Sequence, residues 1–144
     1  MWLAPMLGLA ANARLIIYAG RFTLEKNLPQ LIKAVEELGA PYHLLLVGRG
    51  TVRHASSVVT CLPYEADALA LAGLIAACDL FVHPGQFETF GLVVLEALAC
   101  GVPVLGVDGG GVAELVDENS GLLVRTSSSG ELAAGIRHLF RCDL

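Results

Sequence analysis

The chain has 144 residues, 55% of them hydrophobic and 16% charged, which is enough for one domain with a substantial core and excludes general disorder. A formal net charge of −5 argues against a dedicated nucleic-acid binder, which would show a basic face, so any bound polyanion must be held by a few placed cations. The longest apolar run, residues 68–78 between Asp67 and Asp79, falls far short of the ~20 residues a membrane-spanning helix needs.

Residues 1–11 are apolar, but no basic residue precedes them and no clear cleavage site follows, so they do not read as a signal peptide. Residues 1–13 are expected to be a connector or remnant, and residues 14–144 a single domain. Residues 14–19 (RLIIYA) form the first predicted strand, ended by Gly20. A polar loop, residues 20–27, carries Arg21 and Lys26, two of only nine basic residues. Asn27 is a predicted N-cap with Pro29 in the first turn, and the helix sets Leu28, Leu31, Ile32, Val35 and Leu38 on one face before Gly39 stops it. Residues 42–47 (YHLLLV) form a second buried strand, closed by Gly48-Arg49-Gly50, and residues 56–62 a third. Pro63-Tyr64 turns into a helix over residues 65–78, and residues 80–82 are the fourth strand.

Residues 83–104 carry the most information. From Leu92 to Cys100 every residue is apolar except Glu96, which predicts a helix buried on all sides with a carboxylate that needs a partner. Gly101 supplies a left-handed cap and Pro103 forbids continuation. Glu88 stands eight positions before Glu96, in the loop feeding the helix. Amides around Phe90, Gly91 and Leu92 are expected to point outward as unpaired donors at a helix N-terminus, ready for an anion. Residues 102–107 are the fifth strand, 112–116 a short helix, 122–124 a sixth strand, and Ser127 to Ser129 offer caps for a last helix through Phe140.

Strands apolar throughout, alternating with helices, predict an α/β fold: a Rossmann-like open parallel sheet of about six strands with helices on both faces. Ligands bind beyond the carboxyl ends of such strands, where the loops at residues 20–27, 48–50, 84–91 and 108–111 converge. Two carboxylates beside an anion cradle suggest a ligand with both hydroxyls and phosphates. Charge-assisted bonds from Arg21 or Lys26 would contribute ~1.5–3 kcal/mol each. The plainer alternatives stand beside this reading: Glu96 facing solvent, Glu88 an ordinary loop acid, and Arg21 paired with Glu25. Gly109-Gly110-Gly111 is a phosphate or sugar contact or a tight turn, and His83 a polar contact or a structural residue. No GxGxxG fingerprint follows the first strand, and no P-loop lysine motif is present. Cys61, Cys78, Cys100 and Cys142 are too widely spaced for a metal site and are expected to be reduced thiols.

These residues resemble a known family. Gly20-Arg21 followed by Lys26-Asn27, then Glu88-Thr89-Phe90-Gly91-Leu92, Glu96-Ala97 and Cys100-Gly101-Val102-Pro103-Val104, are similar to the C-terminal domain of family-four retaining glycosyltransferases of GT-B architecture. The resemblance covers about residues 14–140. It implies one half of a GT-B fold and a nucleotide-diphosphate sugar, GDP-mannose or a UDP-sugar, as donor. It implies that Arg21 and Lys26 bind the diphosphate and stabilise its departure, and that Glu88 bonds hydroxyls of the donor sugar. Amides of Phe90, Gly91 and Leu92 would meet the distal phosphate or sugar, and Glu96 the ribose hydroxyls. Gly20 would belong to the donor site, while Gly48 and the loop Leu62 to Ala66, including Tyr64, would line the nucleoside pocket, mostly through backbone. It further implies retention at the anomeric carbon with no cofactor and no catalytic metal, and the thiols expected to be reduced point to a cytoplasmic location. Such enzymes have a second, N-terminal domain that binds the acceptor. The 144 residues supply only the donor half, so the isolated chain is expected to bind donor and transfer little or nothing, with no nucleic-acid partner and peripheral membrane association of the full enzyme left open. Other readings are a non-catalytic nucleotide-sugar-binding module and a nucleotide-sugar epimerase of the same architecture.

Overall fold

A computed structural model of the chain describes residues 2–50, 52, 56–85, 92–109 and 112–142. Six strands, β1 (Arg14–Arg21), β2 (Tyr42–Arg49), β3 (Val59–Pro63), β4 (Leu80–His83), β5 (Val104–Val107) and β6 (Gly121–Val124), form one sheet in the order β3-β2-β1-β4-β5-β6. Every pairing is parallel.

The apolar strands are buried on both faces because their side chains alternate between two clusters. Ile16, Tyr18, Leu44 and Leu46 point into one, with α2 (Leu28–Leu38) and α6 (Ser129–Arg141) packed over them. Leu15, Ile17, Leu45 and Val47 point into the other, under α1 (Leu3–Met6), α3 (Ala68–Ala76), α4 (Leu92–Ala99) and α5 (Val112–Leu115). This is the arrangement that uniformly hydrophobic strands require. The α2 face read from spacing is the observed one, with Leu28, Leu31, Ile32 and Val35 buried. Each contributes roughly 1.5–3 kcal/mol relative to exposure. In the leading segment, Leu3 and Ala4 are buried in the second cluster.

Several boundaries differ from expectation for local reasons. Strand β3 starts at Val59, not residue 56, because the Ser56 hydroxyl accepts the Val58 amide in a preceding turn. Helix α3 starts at Ala68, because the Asp67 carboxylate accepts the Leu69 amide at 3.0 Å and caps it there. Of Ser127, Ser128 and Ser129, Ser128 is the cap, and Ser129 is the first residue of α6. Asn27 is not a side-chain N-cap: it is left-handed, with φ of 55°, and makes no capping bond to α2.

The largest correction concerns α4. Only Val94 and Ala97 are fully buried, while Leu92 and Leu95 are 66% and 43% exposed. A helix lying on a sheet buries one stripe whatever the composition of its outer face. Gly101 ends this region with φ of +75°, the left-handed conformation expected of it. No helix among the described residues is long and apolar enough to cross a membrane.

Candidate functional site

In the observed order, β1 leads to α2 on one face of the sheet and β4 leads to α4 on the other. The carboxyl ends of adjacent strands β1 and β4 therefore flank a topological switch point, where open α/β sheets bind ligands. The β1–β4 ladder closes after Ile17 opposite Phe81, whereas the β1–β2 ladder runs on to Arg21 opposite Arg49. A crevice opens where the shorter ladder stops.

The ends of β1 and β2 approach so closely that glycine is required. A Cβ on Gly48, where φ is +157°, would overlap the Gly20 carbonyl oxygen, and one on Gly20 would come within 2.7 Å of the Tyr18 hydroxyl. Tyr18 is fully buried, and its hydroxyl donates to the Arg21 carbonyl at 2.8 Å, which fixes the start of the first loop. The first demand on Gly20 and Gly48 is thus packing at the rim.

The loop carrying the cations leans on the end of β4. Leu24–Lys26 forms one 3-10 turn, and Asn27 then donates through Nδ2 to the Pro84 carbonyl at 3.2 Å. A Cβ on Gly85 would lie 3.1 Å from the Glu25 carbonyl oxygen and 3.4 Å from Lys26 Cα. Lys26, partly buried, therefore sits beside Pro84 and Gly85 at the end of β4, while Arg21, exposed, is the last residue of β1. The Glu25 carboxyl is held below its ordinary value, chiefly by its own backbone amide and further by the charges of Lys26 and Arg21. Glu88, Phe90 and Gly91, like Gly110 and Gly111, lie outside the described residues.

Beside the crevice is a cavity of about 110 Å³ between Ala19, Gly20, Val47, Tyr64, Glu65, Leu71 and Val93. It is smaller than the roughly 300–1,000 Å³ of a typical ligand pocket and can take only one portion of a nucleotide sugar. Tyr64 is half exposed, and the Arg49 guanidinium lies over its ring, 4.1 Å from the centroid. Leu62 is not among the lining residues. It packs against the second core cluster. Leu92 opens α4 with its side chain largely exposed.

Glu96 follows Val93 by three positions on α4 and so shares the face of that helix that borders the cavity. Its Oε2 is buried, and among the described residues it has no hydrogen-bond partner. Leaving such an oxygen unsatisfied costs about 1–3 kcal/mol, which a ligand hydroxyl at that place would recover. His83 is buried, with Nδ1 3.2 Å from the Gly85 carbonyl and its ring 6.4 Å from that of Tyr18.

A larger cavity, about 450 Å³, opens at the other end of the sheet between Leu9, Asn12, Pro41, Tyr42 and Ser57. It lies at the amino ends of the strands, away from Arg21, Lys26 and Glu96. The smaller cavity, bordered by the end of β1, by Tyr64 and Glu65, and by Val93 in the first turn of α4, is the candidate site. Two of its features were not foreseen. A polar residue before a helix is ordinarily its cap, yet Asn27 bonds Pro84, and the contact of Arg49 with Tyr64 joins positions 15 apart that no motif connects.

The profile of the family described as "Glycosyl transferases group 1" matches residues 6–143. A GDP-mannose-dependent alpha-mannosyltransferase of Mycolicibacterium smegmatis is 38% identical over 129 residues, which is 85% of this chain and 33% of that protein. A GDP-mannose-dependent alpha-(1-6)-phosphatidylinositol dimannoside mannosyltransferase of Mycobacterium tuberculosis is 34% identical over 116 residues, 74% of this chain and 30% of that one. Among solved structures, Anabaena Alr3699/HepE in complex with UDP and glucose superposes with a TM-score of 0.84 at 29% identity, covering 96% of this chain and 41% of that one. The chain spans about a third of the length of the curated relatives it matches.

Proposed function

The chain belongs to the group 1 glycosyl transferases, with the Rossmann-like half of a GT-B fold, and from that premise we propose that it is a donor-binding domain. It holds a nucleoside diphosphate sugar in the β1–β4 crevice of an enzyme that passes the sugar to a glycan, lipid or small-molecule acceptor. The names of relatives that depend on GDP-mannose, and the UDP held by the Anabaena protein, support a nucleotide-sugar donor.

The observation that carries this reading is the contact between the first loop and the end of β4: Gly85 against Lys26, and Asn27 bonded to Pro84. It puts Lys26 beside Gly85 at the end of β4, which supports a donor site shared by the first loop, with Arg21, and by the segment bearing Glu88. In the proposed mechanism, Arg21 and Lys26 hold the diphosphate and stabilise the charge that develops as it leaves. Glu88 accepts from hydroxyls of the donor sugar, and the amides of Phe90, Gly91 and Leu92 at the start of α4 meet the distal phosphate or sugar. Glu96 receives the ribose hydroxyls, which gives its buried oxygen a partner. Gly20, Gly48 and Tyr64 shape the nucleoside end, with Leu62 supporting the strand beneath. The sugar is transferred with retention and without a catalytic metal, since the cations carry the leaving group. The acceptor is bound by a separate N-terminal domain, so this chain alone binds donor and turns over little. The complete enzyme works in the cytoplasm, in some cases at a membrane surface.

Calorimetric titration with GDP, UDP and ADP, with and without their sugars, tests the reading. Micromolar binding of one of them, weakened roughly 10–150-fold in Lys26→Ala, is expected from the loss of one charge-assisted bond. A folded Lys26→Ala variant that binds like the parent removes the cation from the donor site.

A further inference from the structure

The carboxylate of Glu65 sets a problem that the donor-site reading leaves unsolved. Glu65 is partly buried and lines the cavity of about 110 Å³ beside Gly20 and Tyr64. Its Oε1 accepts the Asp67 amide at 3.0 Å, which favours a position of the side chain at the rim. A nucleoside diphosphate brings negative charge to this rim, and the chain is already acidic at −5. A fixed carboxylate there opposes binding unless the ligand presents donors to it.

Among the common bases, guanine alone presents two adjacent donors, N1–H and the 2-amino group, on one edge. That pair matches a carboxylate, which only accepts. Uracil offers a single N3–H between two carbonyl oxygens, and adenine offers an amino group beside an acceptor. The neighbouring edge of guanine carries O6 and N7, both acceptors, which an arginine fork meets with two parallel bonds. Arg49 supplies such a fork. Its guanidinium lies over the Tyr64 ring, 4.1 Å from the centroid, a contact that restrains the side chain before it engages a base.

We propose that Glu65, at the rim of the cavity under the Arg49–Tyr64 stack, makes this a guanine pocket, so that the donor is a guanosine diphosphate sugar. The inference rests on the donor-site reading above and names the base at that same site. In it, Glu65 accepts from N1–H and the 2-amino group, while Arg49 donates to O6 and N7. Glu65 is a specificity determinant and takes no part in the transfer step.

The test is a set of competition titrations on the parent chain with GDP, IDP, UDP and ADP. IDP is GDP without the 2-amino group, so the comparison needs no variant. GDP is expected to bind at least about tenfold more tightly than each of the others, since a well-made bidentate pair discriminates by roughly 5–150-fold. Glu65→Gln, which keeps an acceptor for the Asp67 amide, is expected to bring GDP down to the level of IDP and to leave UDP unchanged. UDP or ADP binding as tightly as GDP, or a Glu65→Gln variant that weakens every nucleotide equally, overturns the inference while leaving the donor site standing. If none of the four binds, the donor-site reading fails first and takes this inference with it.

Discussion

Asn27 donates through Nδ2 to the carbonyl of Pro84, 3.2 Å away and 57 positions later in the chain. The bond ties the loop with the cations to the end of β4, and the left-handed backbone of Asn27, φ 55°, turns the chain from that loop into α2. One residue does two jobs, and different substitutions separate them.

Asn27→Gly keeps the backbone conformation and loses the bond, so a stability loss of about 0.5–1.5 kcal/mol is expected. Asn27→Ala loses the bond and adds the strain of a Cβ in the left-handed region, a further ~1–2 kcal/mol. Urea denaturation distinguishes the two. Both variants should weaken nucleotide binding, because the loop is no longer pinned. Equal stability of the two would show that the left-handed turn is not strained.

Two glycines should respond in opposite directions. In Gly48→Ala the new Cβ would overlap the Gly20 carbonyl, a backbone atom that cannot step aside. A loss of about 2–4 kcal/mol is expected from overpacking and strain together. Gly73, inside α3 and exposed, has nothing within 4 Å of an added Cβ. Gly73→Ala should stabilise the chain by about 0.5–1 kcal/mol through helix propensity. Thermal melts of both check the pair.

Glu96→Leu should raise stability and weaken nucleotide binding. The buried Oε2 has no partner among the described residues. Replacing it with an apolar group of similar length removes an unsatisfied atom and should gain about 1–3 kcal/mol in unfolding free energy. Nucleotide affinity should drop at least about tenfold as the ribose contact is lost. An ordinary surface carboxylate at this position would give neither change, so calorimetry and urea midpoints on one protein sample decide the matter.

His43 gives the chain a pH dependence below neutrality. Burial holds its imidazole below the ordinary 6.5, and Nε2 lies 2.7 Å from the Thr60 hydroxyl. The unfolded chain therefore binds a proton at pH values where the folded one does not, and stability rises with pH across that interval. The contribution is complete above 6.5 and is lost as pH falls toward and through the folded value. Urea midpoints from about pH 7.5 to about pH 5 should decline in the parent, and the decline should be shallower in His43→Gln.

The strands were legible because parallel strands buried on both faces are apolar throughout, and RLIIYA and YHLLLV have no other home. The α2 stripe was legible for the same reason, since its period is its burial. What failed was inferring exposure from composition. Leu92 and Leu95 on α4 are 66% and 43% exposed although that helix reads as buried on all sides. A helix that touches a sheet along one stripe leaves its far side outside, and apolar residues there carry no mark that says so. The cations of the first loop and the acid of α4 were found as residue types at the right spacing. The bond that brings their loops together was not, because an asparagine's partner 57 residues on has no sequence pattern.

Arg49 is the last residue of β2, Tyr64 and Glu65 follow the end of β3, all three are exposed or only partly covered, and none belongs to either core cluster. The sheet beneath them would fold whichever side chains occupied those three places. A lineage could thus exchange one nucleotide for another by rewriting a few letters at the rim, without renegotiating the architecture that holds them.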